Sequence, residues 1–513
     1  MQGDPKSMGS AKNAVLIVLD SLNRHLLGAY GGREFTTPNL DAFAQKAQVF
    51  DQHQVGSLPC MPARHDMLCG VQDFLWRPWG SIELWESPIT RDLEKAGVTT
   101  MLVSDHPHLF ESGGENYHCD FTAWDYLRGH EGDPWRTAED PSYQGAPALP
   151  ARRGHGHAYD ISRTAFREEA DYPGPKTMRA AADWLRTQAP QHDRFFLLID
   201  EFDPHEPFDT PEPWASRYGE PIDGERIIWP PYAIDAVARG RITEAEGRQV
   251  RNNYGAKLSM IDHWLGKVLA ALEETGRLED TMVIITTDHG HYLGERDLFG
   301  KPGVPHYEPL SHIPLMIQGP GITPGRYAHL STTVDIHATL TDLFGVPPRQ
   351  TGHGMSLLPA LADPTRKTRD WALAGVFGRW VQITDGRYKY ARGPVAPNNL
   401  PLSLWSNRWS TMPVRGMASL RLPEPDHRAF IDFMPGATIP VLRQPFAPGD
   451  PLPYWALGMK PDQHVLYDLA TDPEEQDNLC GTAQEATLKE LLSHALTTLH
   501  APEEQWARLG LPL

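Results

Sequence analysis

The chain has 513 residues, 47 of them basic and 66 acidic, for a net charge of −19. That balance argues against nucleic acid and anionic membrane as partners, which need a basic footprint, and means that an anionic small molecule must be met by locally concentrated positive charge. With 40% apolar and 22% charged residues, the composition is that of a globular protein too long for a single small core, so one large α/β domain and a smaller one are expected.

Residues 1–12 are polar, with Gly and Ser, and read as a flexible tail. The first apolar run, Ala14 to Leu19, is far shorter than a signal segment or a membrane span, and no other stretch approaches one. Cysteines stand at 60, 69, 119 and 480 without C-x-x-C spacing, which argues against a disulfide framework or a structural zinc. These features point to a soluble, cytoplasmic protein.

Val15 to Leu19 is a continuous β-branched and apolar run, the pattern of a strand buried on both faces of a parallel sheet. Asp20 closes it, and ligands of open α/β sheets bind beyond the carboxyl ends of strands; taken alone, Asp20 also fits a helix N-cap. Thr37-Pro38 starts a helix, with Thr37 as the cap, and Ala42 to Phe50 continues it as core-facing helix and strand. Within Gly56 to Asp66 lies Cys60-x-Pro62-x-Arg64. Pro59 and Pro62 argue against regular structure across it, while Arg64 to Leu68 can begin a helix whose N-terminus favours a nucleophile or an anion. By itself Cys60 also fits a small buried residue.

Val98 to Val103 reads as the next strand and runs into Asp105-His106-Pro107-His108, two histidines in a polar loop. Residues 110–175 are rich in Gly, Pro, His and Trp and read as an irregular insertion at a cleft, with no role assigned to His130, His155 or His157. Thr177 to Thr187 is helical, and Phe195 to Ile199 is a buried strand leading to Pro204-His205-Glu206-Pro207, where His205 also fits a proline-fixed turn. Tyr254, Leu258, Ile261 and Leu265 recur at helical spacing within Arg248 to Glu274, and Thr275-Gly276 stops that helix. Met282 to Thr286 is a further strand, ending in Thr287-Asp288-His289-Gly290. An aspartate and a histidine opposite Asp20 across a sheet fit a divalent cation, the carboxylates suiting calcium or magnesium and the imidazole shifting preference toward manganese; the alternative is a capped turn. Farther on, Thr333 to Gly345 is helical, Trp380 to Tyr390 with Asp385-Gly386 is a hairpin, 391–460 is a Pro- and Trp-rich insertion fit for a lid or an oligomer contact, and 482–500 is an amphipathic helix.

Asp20-Ser21-Leu22, Cys60-x-Pro62-x-Arg64, Pro204-His205, Thr287-Asp288-His289-Gly290, Gly300-Lys301, Gly352 to Pro359 and Leu466-Tyr467-Asp468 come in the order in which sulfatases of the alkaline phosphatase superfamily carry them. From about residue 13 to 480 the chain resembles that family. The resemblance implies a large, mixed, mostly parallel sheet between helices over 13–365. A smaller C-terminal α+β subdomain with an antiparallel sheet would follow over 366–513. It implies that Cys60 is oxidised to formylglycine by a formylglycine-generating enzyme, the hydrated aldehyde being the nucleophile. One divalent metal, calcium or manganese, would be held by Asp20, residue 60, Asp288 and His289. Arg64 and Lys301 would hold the nucleophile and the anion; His106, His205 and Lys301 would touch substrate; His205 or Lys301 would protonate the leaving alcohol; His108 would take the second hydroxyl's proton. Ser21 stands where many members have a second Asp, His106 where a lysine is common, His312 where Arg is common and His353 where Asp is usual. The implied activity is hydrolysis of small or aryl sulfate monoesters. Phosphonate monoesters or phosphodiesters are the rival substrates, and a non-catalytic sulfate-ester binder is the rival of another class.

Overall fold

The structure is a computed structural model that describes residues 11–143, 156–222, 226–347, 352–412, 422 and 424–512. Residues 1–10 of the expected tail, His155 of the first insertion and part of the second lie outside the described residues. Lys12, the last residue of that expected tail, already donates its backbone N–H to Asp280.

Ten strands come first in the chain: β1 (Asn13–Leu19), β2 (Gln48–Gln54), β3 (Thr99–Ser104), β4 (Ala123–Tyr126), β5 (Phe195–Glu201), β6 (Thr281–Thr286), the short ribbon β7 (Tyr292–Leu293) and β8 (Phe299–Gly300), β9 (Leu315–Gln318) and β10 (Gly325–Thr332). Eight of them form one mixed sheet in the order β10-β2-β9-β6-β1-β5-β3-β4, in which only β9 runs antiparallel to its neighbours. β1 is central, with Val15 opposite Leu197 of β5 and Val283 of β6. Its alternate residues feed two cores, as the period of two of a strand requires. Val15, Ile17 and Leu19 pack with Tyr254, Leu258 and Ile261 of the Glu244–Glu274 helix, whereas Leu16 and Val18 pack with Met61 and Met67 of the Cys60–Cys69 helix and Ile336 and Leu340 of the Val334–Phe344 helix. The expected sheet between helices is therefore present.

Local expectations are corrected in four places. The helix begins at Cys60, not at Arg64, because Pro62 falls in its first turn, where an N–H has no partner to lose. Thr37 sits at the N-cap position of Pro38–Lys46 but makes no side-chain cap; Asp262 of the long helix accepts from the N–H groups of Asn39 and Leu40 at 3.1 and 2.8 Å instead. Inside 110–175, β4 extends the sheet beside β3, with Trp124 exposed, so it lacks the apolar run that marks a buried strand. β10 escaped the sequence for the same reason, its first residues being exposed.

Beyond residue 366 a four-stranded antiparallel sheet is built from β11 (Ala372–Gly375), β12 (Val381–Thr384), β13 (Tyr388–Arg392) and the later strand Val465–Asp468. The Asp385-Gly386 turn joins β12 to β13, with Gly386 at φ +95°. Leu488, Leu492 and Leu496 of the Ala483–Thr498 helix pack with Leu373, Ile383 and Leu466. Residues 391–460 contribute a second, three-stranded antiparallel sheet. Gly375 closes onto the segment before Cys60, donating to Gly56 and accepting from Leu58. Among the described residues no helix is long and apolar enough to cross a membrane.

Candidate active site

Because β6, β1, β5 and β3 are parallel, their carboxyl ends share one edge of the sheet. That edge carries Asp288 after β6, Asp20 after β1, Asp200 within β5 and His106 after β3. Asp20, Cys60, Asp288 and His289 are all buried, and their ligating atoms lie within 4.8 Å of one another. Cys60 is the first residue of its helix, so its Sγ meets the group at the positive end of the helix dipole.

The details of this cluster fit a hard divalent cation. His289 donates from Nδ1 to the carbonyl of Gly290 at 2.9 Å, which leaves the Nε2 lone pair facing Cys60 Sγ at 3.2 Å and Asp288 Oδ2 at 3.3 Å. Burial pushes the His289 imidazolium down to about 4, so the ring is neutral, as a metal ligand must be. Burial and then Asp288 push the Asp20 carboxyl well above the usual range. Burial opposes ionisation of Asp288 too, but its cationic neighbours, Arg64 above all once the His289 ring is neutral, hold that carboxyl below the ordinary range. Two facing carboxylates that resist a joint charge mark a place where a cation is favourable. Oδ2 of Asp20 accepts no hydrogen bond among the described residues, although Arg64 Nη2 comes within 3.0 Å of it. Its Oδ1 accepts from Ser21 Oγ at 2.8 Å, and the Ser21 N–H donates to Asp288 Oδ1 at 3.1 Å from a left-handed φ of +63°.

Arg64 lies behind this group. Its guanidinium is bidentate on Asp200 at 2.8 and 2.7 Å, reaches Asp288 at 2.7 Å and Asp20 at 3.0 Å, and donates to the Cys60 carbonyl at 3.1 Å. These contacts give Arg64 a role in holding three carboxylates and the start of the helix, beside the residue 60 that it is expected to grip. No motif marks Asp200, although it ends an apolar run just as Asp20 does.

Lys301 stands on the open side. Its Nζ donates to His205 Nε2 at 2.8 Å and lies 3.5 Å from Ser21 Oγ and 3.8 Å from Cys60 Sγ. Burial disfavours its charge, but Cys60, Tyr232 and Glu206 outweigh this, so the ammonium stays protonated. His205 donates from Nδ1 to the Glu206 carbonyl at 2.8 Å and is pushed down to about 3 by burial, which makes its Nε2 an acceptor.

A family model described as Sulfatase matches residues 12–346, more than half of the chain. The chain belongs to the sulfatase family. This sulfatase is 25% identical over 422 residues to a choline-sulfatase of Rhizobium meliloti (strain 1021), covering 76% of this chain and 79% of that one. It is 29% identical over 426 residues to a multifunctional alkaline phosphatase superfamily protein of Trinickia caryophylli, covering 70% of this chain and 78% of the relative. Among solved structures, it shares the fold of the phosphonate monoester hydrolase of Agrobacterium radiobacter, with a TM-score of 0.64, 19% identity, and coverage of 96% and 95% of the two chains.

Two histidines of the sulfatase depart from the roles expected of them. His106 is fully buried with neither ring nitrogen hydrogen-bonded among the described residues; its Nε2 is 3.6 Å from Asp20 Oδ2, and its ring packs edge-on to Phe202. Burial and Arg64 push it well below the usual imidazole range, so it brings no positive charge to a substrate. His108 is held between Glu111 and Glu131; burial disfavours its charge, but these carboxylates raise it to about 10. That pairing favours the protonated ring, which works against the base expected at that position. Above Lys301 and His289 opens a cavity of about 610 Å³, walled by Tyr232, Trp455 and Val376 among others. These wall residues carry no motif and come from the stretches between family elements.

Proposed function

We propose that this sulfatase hydrolyses sulfate monoesters of small or aryl alcohols, with residue 60 oxidised to formylglycine by a maturation enzyme and one divalent cation, calcium or manganese, beside it. One observation carries the reading: Asp20, Cys60, Asp288 and His289 converge within 4.8 Å at a helix N-terminus, below a cavity lined by Lys301. Asp20, Asp288, His289 and the oxidised residue 60 would hold the cation, which when bound supplies charge that polarises a sulfate oxygen and lowers the pKa of a hydroxyl. The hydrated aldehyde supplies that hydroxyl and, through its second one, a way back to the free aldehyde.

The remaining work falls to this chain's own side chains. Lys301 faces residue 60, and Glu206 and Asp20 favour its charge whether or not that residue is a thiol, so it neutralises the ester anion and gives a proton to the departing oxygen. His205 accepts one ammonium N–H and fixes where the others point. Arg64 keeps Asp20 and Asp288 in place.

The test has two arms. Conversion of the Cys60 thiol to an aldehyde lowers the mass of its peptide by about 18 Da, and turnover of an aryl sulfate, phenylphosphonate and a phosphodiester is compared on the converted protein. Conversion together with sulfate turnover as the fastest is expected. A phosphodiester rate far above the sulfate rate overturns the substrate class, and an unconverted cysteine without turnover favours a binder.

A further inference from the structure

The Cys60–Cys69 helix carries a second group of ligating side chains toward its far end. His65 and Cys69 stand four residues apart, so they project from one face of the helix, one turn from each other. Glu86, in the loop before the Ile89–Lys95 helix, reaches them. Its Oε1 lies 2.7 Å from His65 Nε2, and one ligating atom from each of the three residues falls within 4.8 Å of the others. All three are buried, and none belongs to the active-site cluster.

The surroundings orient these groups as they would the ligands of a metal. Nδ1 of His65 donates to the carbonyl of Val71 at 3.1 Å, as Nδ1 of His289 does to Gly290, so a backbone group sets the ring and Nε2 is the nitrogen left to bind. Glu86 is fixed in turn, its Oε2 accepting the Glu83 N–H at 2.7 Å. Asp73, whose Oδ2 is 3.7 Å from the ring, is paired with Arg77 at 2.8 Å. Both His65 nitrogens face oxygen acceptors, so the ring keeps a positive charge in the interior. Burial opposes that charge, but Asp73 and Glu86 outweigh it and raise the imidazole well above its usual range.

Replacing that charge by a divalent cation is electrically even. The cation enters, the protons on His65 Nε2 and Cys69 Sγ leave to solvent, and the nitrogen lone pair, the thiolate and the Glu86 carboxylate bind it. Imidazolium and carboxylate cancel before the exchange; cation, thiolate and carboxylate cancel after it, so no net charge is added to the interior. One nitrogen, one sulfur and one carboxylate suit zinc, whereas calcium and magnesium take oxygens. The lack of C-x-x-C spacing argues against a four-cysteine site, but this set needs a single cysteine. A cavity of about 450 Å³ lies beside this end of the helix: His337 lines it, and a Cβ added to Gly70, the residue after Cys69, would come 2.5 Å from His337 Nδ1. A His65–Glu86 ion pair without metal is the other reading, and it needs no thiol.

We propose that His65, Cys69 and Glu86 bind a zinc ion, which ties the far end of the helix that starts at residue 60 to the loop carrying Glu86. The site is separate from the proposed function, and neither depends on the other.

Cobalt(II) is the probe, because a cysteine thiolate bound to it gives a charge-transfer band in the near ultraviolet. The protein is the full chain with Cys60→Ser, in which the active-site cluster has no sulfur to give that band. A saturable band that zinc abolishes is expected. Adding Cys69→Ser should remove it, and adding Glu86→Gln should weaken the cobalt affinity read from it by more than about tenfold. No band in the Cys60→Ser protein, or a band that survives Cys69→Ser, overturns the proposal and leaves His65 and Glu86 as an ion pair. If Cys69→Ser does not fold, as judged by circular dichroism, the Glu86→Gln titration decides: a loss above about tenfold upholds the site, and a smaller one overturns it.

Discussion

Nε2 of His289 lies 3.2 Å from Sγ of Cys60, and the opposite nitrogen of the same ring donates to the carbonyl of Gly290. The tautomer at the cluster is thus set by one backbone group. Gly290 has its own constraint: an added Cβ would come 1.9 Å from the carbonyl oxygen of Pro309, and its N–H donates to Leu310. Gly290→Ala must move one of these backbones and turn the ring. We expect a loss of about 2 kcal/mol of stability in urea denaturation and a drop in manganese affinity of more than about tenfold in calorimetry. Unchanged manganese affinity would show that the ring is not oriented by this contact.

Arg64 makes a second prediction. Its partners are three buried carboxylates, and Asp200 takes two of its donors. Asp200→Asn leaves a buried guanidinium with one compensating charge fewer, which costs about 3 kcal/mol. The freed charge then turns on Asp20 and Asp288 and competes with a cation, so manganese affinity falls as well. A lower urea midpoint at unchanged slope, with weaker manganese binding, is the expected pair of results. An unaltered midpoint would sink the assignment.

The pH dependence has two windows of opposite sign. Burial pushes His205 and His353 down to about 3 from an ordinary value near 6.5, so both stay neutral where the unfolded chain takes a proton. Their contribution to stability is present above pH 6.5 and is lost as pH falls toward 3. His108 is the reverse: it is raised to about 10 by Glu111 and Glu131, so its contribution is full below pH 6.5 and is lost as pH climbs from 6.5 to 10. Urea midpoints of the wild type and His108→Gln should therefore differ most at pH 6 and converge by pH 10. A gap that widens toward pH 10 would contradict the paired, protonated state of His108.

Much of the site could be read from the chain because its parts sit at strand ends. A run such as Val15 to Leu19 announces a strand by composition, and the acid that follows it is placed by topology alone. Asp20, Asp288 and His289 come together as that reasoning requires, and Cys60, which starts a helix and not a strand end, joins them as the family resemblance implied. Protonation states were not legible, because they depend on neighbours far away in sequence: His108 is charged through Glu131, 23 positions on, and Arg64 is occupied by Asp200, 136 positions on. Nor were the cavity walls, since Tyr232, Arg379 and Trp455 lie in stretches without period or motif and are brought together only by the fold.

The last prediction separates two duties of Lys301. An ammonium 3.8 Å from Cys60 Sγ and bonded to His205 can hold the ester anion, protonate the leaving oxygen, or do both. Anion holding lowers the barrier for every ester alike, whereas proton donation matters more as the leaving alcohol becomes more basic. Lys301→Met is expected to lower kcat by about 10² to 10⁴ for aryl sulfates with poor leaving groups and by much less for 4-nitrophenyl sulfate, whose phenolate departs without a proton. Plotted against leaving-group pKa, the rates of the variant should fall more steeply than those of the wild type. His205→Gln, which keeps an oxygen able to accept the ammonium N–H, should lose about tenfold without steepening that plot. Parallel plots for Lys301→Met and the wild type would leave the lysine as an anion holder alone and move the proton donor elsewhere in the site.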